Sequence, residues 1–180
     1  MAARDAKRHD EEERLLAWLS GRSLVRDGVS KWGLPAIRTI EPGQEPQNLM
    51  DANALQRRFV ACAHGTPCPG DDLCASWVEQ AFSRLGFGVV LGDAARLYDD
   101  YCHYDRTSDL RVGMIVAAPA HPYTSQGLAH GHVGLYAGDG TVMDAVAGKV
   151  RRVPVWLWLS AYGIMAEPRW GWLGHIALDA

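Results

Sequence analysis

Residues 131–146 constrain this chain more than any other stretch. Two apolar, strand-forming runs, 131–137 and 141–146, flank Gly138-Asp139-Gly140. Such runs on either side of a short Gly/Asp turn predict an antiparallel β-hairpin. The first arm carries His132 and the second a single carboxylate, Asp144. Turn geometry decides whether they meet. A three-residue loop with Gly140 in the left-handed conformation pairs 132 with 146 and 134 with 144, and makes His132 and Asp144 diagonal neighbours on one face, about 7 to 8 Å apart between backbones. A two-residue Asp139-Gly140 loop reverses the parity and turns Asp144 away. The first register is expected, because a lone carboxylate between Met143 and Ala145 otherwise has no partner.

The rest of the chain reads as helices first and strands later, an α+β order rather than the alternation of a parallel α/β fold. Its 180 residues, 48% apolar, suit one domain with an added arm. Leu15, Leu16, Trp18 and Leu19 on a charged background predict an amphipathic helix over residues 9–20. Residues 31–46, broken by glycines and prolines, predict an irregular crossing. We expect an N-terminal arm and linker over 1–45 and the main domain over 46–180. Helices are expected over 49–62, from Asp72 as N-cap to Gly86, over 93–104 and over 155–162. Strands are expected over 112–118, 149–154 and 169–178, with a polar loop over 119–129.

Composition excludes some partners. A formal charge of −3 with scattered basic residues offers no field for nucleic acid. No apolar run approaches the roughly 18 to 20 residues that span a bilayer, and residues 1–14 contain no apolar signal core. Four cysteines, Cys62, Cys68, Cys74 and Cys102, are too few for a disulfide scaffold, although a Cys62–Cys68 bridge is compatible with the count.

Cys74 stands where the loop of residues 63–72, with two prolines and two glycines, gives way to a helix. A thiol attacks a carbonyl only as thiolate, and the unpaired N–H groups of a first helical turn favour negative charge. Asp71 and Asp72 oppose it, so a cationic imidazole is required opposite the sulfur, and His132 is the candidate. Asp144 would fix that ring's orientation. The same first-turn N–H groups can receive an oxyanion. A cysteine on an apolar helix face is ordinarily a small buried hydrophobe, and a strand histidine is ordinarily a satisfied core residue; the combination of three groups carries the catalytic reading.

These residues resemble the papain-like cell-wall hydrolases of the NlpC type and the related CHAP amidohydrolase/peptidases, over about residues 64–172. Gly65-Thr66-Pro67 with the Cys74 helix is similar to their nucleophile segment, and Cys74-Ala75-Ser76-Trp77-Val78 resembles the CHAP pattern Cys-x-x-aromatic-Val. The segment 131–140 resembles their histidine strand, and Asp144 falls where a third polar residue stands. The resemblance implies a nucleophile helix packed on a central antiparallel sheet in a papain-like fold. It also implies peptide or amide cleavage in peptidoglycan stem peptides through a thioester, by a monomer without metal or cofactor. Leu73 stands where the family carries Asp or Gln, and no Tyr precedes Gly65-Thr66. The backbone at Leu73, His64 and His130 are candidates for the oxyanion side or the cleft, and His121 for the cleft. Two rivals are a zinc site from Cys62, His64, Cys68 and Cys74, and a non-catalytic peptidoglycan-binding relative with an inactive Cys/His site. A substrate in the wall implies action outside the cell, and the chain shows no export signal to match.

Overall fold

The computed structural model describes residues 38–180. The expected arm helix over 9–20 and most of the 1–45 arm lie outside them. Five helices, α1 (Ala54–His64), α2 (Cys74–Arg84), α3 (Ala94–Tyr101), α4 (Ser125–His130) and α5 (Val155–Tyr162), accompany five strands. The strands β1 (Ile115–Ala118), β2 (His132–Gly138), β3 (Thr141–Val146), β4 (Lys149–Pro154) and β5 (Arg169–Gly171) form one antiparallel sheet in the order β4-β3-β2-β1-β5. The α+β class and the helices-then-strands order agree with the sequence. No helix among the described residues is long and apolar enough to cross a membrane.

All seven residues of β2 are buried, so its two faces are both covered, as befits the centre of the sheet. α2 packs against β2 and β3 through Trp77, Val78, Ala81 and Phe82, which recur at helical spacing. That seats the N-terminus of α2 beside the start of β2. α5 packs against β3 and β4, bringing Trp158 and Tyr162 to the same neighbourhood.

Several boundaries differ from expectation for local reasons. The helix expected over 49–62 begins at Ala54, because Asn53 and Gln56 form a reciprocal capping box there and residues 49–51 make only a 3-10 turn. Asp72 does not cap α2. It sits at φ 58°, and Leu73 takes the N-cap position without a side-chain hydrogen bond. The loop expected over 119–129 contains α4, whose N-cap Thr124 accepts from the Gly127 N–H. The closing strand expected over 169–178 ends at Gly171, and left-handed backbone at Gly174 and His175 precludes its extension. All four cysteines are free thiols, so Cys62 and Cys68 are not bridged.

The hairpin is the informative case. Gly134 pairs with Asp144, the register expected, yet the turn is the two-residue Asp139-Gly140, with φ 51° and 66°. A β-bulge between Tyr136 and Gly138 adds the residue that restores the parity. Asp139 is held in place by accepting the Leu49 N–H at 2.9 Å.

Candidate active site

Loop 65–73 is anchored from both ends. Thr66 donates its hydroxyl to the Cys62 carbonyl at 2.8 Å, and the buried Trp77 indole donates to the Thr66 carbonyl at 3.0 Å. The chain then turns through Asp72 into α2 with Cys74 as its first residue. The N-cap Leu73 makes no side-chain hydrogen bond to this terminus. Cys74 is 7% exposed and lines a cleft of about 280 Å³ that His121, Thr124, His130 and His132 also line.

His132 opens β2 directly after Gly131, which at φ 74° leads out of α4. A Cβ at Gly131 would lie 2.2 Å from the Ala118 carbonyl oxygen, so the close entry into the strand depends on glycine. The ring's Nε2 lies 2.8 Å from Asp144 Oδ2, which leaves Nδ1 for the Cys74 sulfur, the neighbour that does most to favour the charged ring. Gly134 makes the His132–Asp144 contact possible. It lies between them on the same face, directly opposite Asp144, and a Cβ there would come within 3.2 Å of the Asp144 Cβ and 2.7 Å of a Val142 methyl.

Asp144 is fully buried and receives four hydrogen bonds. His132 Nε2, Trp158 Nε1 at 3.0 Å and an Arg151 terminal nitrogen at 3.1 Å reach Oδ2, while Arg151 Nε reaches Oδ1 at 2.7 Å. Arg151 stands directly across the β3–β4 pairing from Asp144 and also donates to the Tyr162 hydroxyl at 2.7 Å. Burial opposes ionisation of Asp144, but the Arg151 charge and the bonds from His132 and Arg151 hold its carboxyl well below the usual carboxylate range. Burial likewise opposes a charged His132. The Cys74 sulfur and the Asp144 carboxylate, by charge and hydrogen bond, outweigh it and raise the ring to about 10. The imidazole rests on Tyr162, with ring centroids 4.4 Å apart, and on Trp158 at 5.9 Å.

The structure thus places Cys74, Leu73 and His132 in the lining of one open cleft, with Asp144 buried behind His132. His130 also reaches the cleft, where its Nδ1 meets Asp93, the N-cap of α3, at 2.7 Å. His64 does not belong to this cleft. It ends α1 and is exposed. Among the described residues no three His, Cys, Asp or Glu side chains converge as a metal site, so Cys62, His64, Cys68 and Cys74 form no ligand set. Arg151 and Trp158 were not singled out as site residues from sequence. Their signal is positional, since the two-residue turn Ala147-Gly148 fixes 151 opposite 144. Comparison with known protein families, curated proteins and solved structures gives no match.

Proposed function

We propose that the protein is a papain-like cysteine hydrolase, akin to the NlpC and CHAP enzymes, that cleaves peptide or amide bonds in peptidoglycan stem peptides. The observation that carries this reading is His132, in contact with Asp144 at 2.8 Å and lining one open cleft together with Cys74. The substrate class rests on the sequence resemblance around Cys74 and His132. In the reaction the Cys74 thiol gives its proton to His132 as its sulfur attacks the amide carbonyl, and backbone N–H groups at the start of α2 take up the charge on the carbonyl oxygen. The proton on His132 passes to the leaving amine, which departs and leaves a thioester. His132, now neutral, draws a proton from water, whose oxygen attacks the thioester. The acid is released and Cys74 returns to its resting state.

Incubation of purified peptidoglycan with the wild-type protein, followed by mass spectrometry of the soluble fragments, tests the proposal. New amine and carboxyl ends are expected with the wild type and not with Cys74→Ala. Equal cleavage by both proteins overturns the assignment of the nucleophile. No cleavage by the wild type on intact and fragmented peptidoglycan points to a binding protein with an inert Cys/His site.

A further inference from the structure

His121 lies in the cleft wall, buried, and the line from Cys74 to Asp144 does not use it. Its placement is closely specified. The backbone N–H of His121 donates to the Gly127 carbonyl at 3.0 Å, and its ring packs against Gly127. A Cβ on Gly127 would fall 2.1 Å from Cε1 and 2.3 Å from Nε2, so the ring occupies the space that glycine leaves. Tyr123 and Tyr162 each hold it with ring centroids 5.2 Å away, and His132 meets it edge to face at 5.8 Å.

This environment fixes the ring's protonation. Burial, with the charges of His132 and Arg151, pushes His121 down to about 3, so the ring is neutral wherever the protein is folded at ordinary pH. Its Nδ1 accepts the Tyr123 backbone N–H at 3.3 Å. The single ring proton therefore resides on Nε2. That N–H meets no acceptor among the described residues and, unlike the sealed indole N–H of Trp170, it is not shut away from the cleft.

We propose that His121 is a substrate-binding residue whose Nε2–H donates to a carbonyl oxygen of the bound acyl chain, on the His132 side of the cleft. The site then takes substrates that present an amide oxygen near the reacting carbon, and it discriminates against chains without one. The inference rests on Cys74 being the nucleophile of this cleft. His121 cannot act as a general base, since its free nitrogen carries the proton.

Two alkylating probes of Cys74 isolate this contact. Iodoacetamide carries an amide oxygen next to the reacting carbon, and allyl bromide carries none; both are displaced by sulfur, and the Cys74 peptide is quantified by mass spectrometry. In His121→Met the iodoacetamide rate is expected to fall about 3- to 10-fold relative to the allyl bromide rate, the range of one neutral hydrogen bond. His121→Gln, which keeps an acceptor for Tyr123 and a donor for the ligand, is expected to retain the wild-type ratio. Equal slowing of both probes in His121→Met, or loss of the ratio in His121→Gln, overturns the proposal and leaves a packing role. Should His121→Met fail to fold, the wild-type ratio decides: it stays constant between about pH 5 and about pH 9 if the ring is a permanent neutral donor, and a step near 6.5, the ordinary imidazole value, refutes it. Unselective alkylation refutes the His121 role alone. Selective alkylation in a protein that cleaves nothing refutes the hydrolase reading alone.

Discussion

Asp144→Asn separates what the carboxylate does by charge from what it does by shape. Three donors converge on Oδ2, from His132, Trp158 and Arg151, while Arg151 Nε alone reaches Oδ1. An asparagine therefore settles with its oxygen in the Oδ2 position and its NH2 against the Arg151 Nε. His132 keeps its acceptor and its orientation, and loses its counter-charge. A charge-assisted hydrogen bond is worth about 1.5 to 3 kcal/mol, and 1.36 kcal/mol corresponds to one pH unit. The His132 titration, near 10 in the wild type, is accordingly expected to fall by about 1 to 2 pH units. NMR of the ring carbon-bound protons across pH reads this directly. Stability falls too. Removing one partner of a buried ion pair costs about 3 to 5 kcal/mol, and because the Arg151 side chain keeps 21% exposure the low end is expected. The wild-type pH dependence follows in sign. A ring raised from 6.5 to about 10 contributes stability that is complete below 6.5 and lost as pH rises through 10. The depressed Asp144 contributes stability present above 3.8 and lost on further acidification. An unmoved His132 titration in Asp144→Asn would refute the claim that this carboxylate holds the imidazolium.

Two further substitutions probe the surroundings. Trp158→Phe removes one donor to Asp144 while leaving His132 and Arg151 in place, and is expected to lower stability by about 2 kcal/mol in urea unfolding; no loss would mean that the indole is only packing. Glu79, raised to about 7 by burial, accepts the Gly92 N–H at 2.8 Å and so ties the cleft-lining start of α3 to α2. Glu79→Gln keeps that acceptor without the charge. The two proteins should unfold at matching urea midpoints well below pH 4.5, and the variant should become the more stable as pH rises from 4.5 to about 7, above which wild-type Glu79 must carry a half-buried charge.

How far the sequence reveals the site depends on which interactions set each position. The parity of β2 and β3 was legible because a one-residue slip would bury Asp144 without a partner. The turn that delivers this parity was not, since a bulge and a two-residue loop yield the register of a plain three-residue loop. The expected strands 141–146 and 149–154 leave a two-residue turn that sets Arg151 opposite Asp144, but a charged residue on an edge strand reads as solvated until the burial of Asp144 is known. α4 was obscured by Pro122 and Gly127, and Gly127 is present for the His121 ring rather than for the helix. The N-cap of α2 misled for a related reason. Asp72 has the right chemistry, but the loop turns it left-handed and passes the N-cap position to Leu73.

These departures share a cause. A buried carboxylate–guanidinium pair seldom stabilises a fold more than apolar side chains of the same volume would, so Asp144 and Arg151 are a poor choice for stability alone. Their benefit lies in what they allow next to them. Charges alternate from Arg151 to Asp144 to His132, which stands beside the Cys74 sulfur, and each charged member offsets the burial of its neighbour. Without Arg151 the Asp144 carboxylate would face burial with only the imidazolium opposite it, and without Asp144 the imidazole would lose the charge that sustains its proton beside the sulfur. The local features that defeat simple pattern reading, the bulge before Gly138, the left-handed Asp72 and Ala147 and the glycines at 127, 131 and 134, are the ones that set this row of charges and the cleft above it in register.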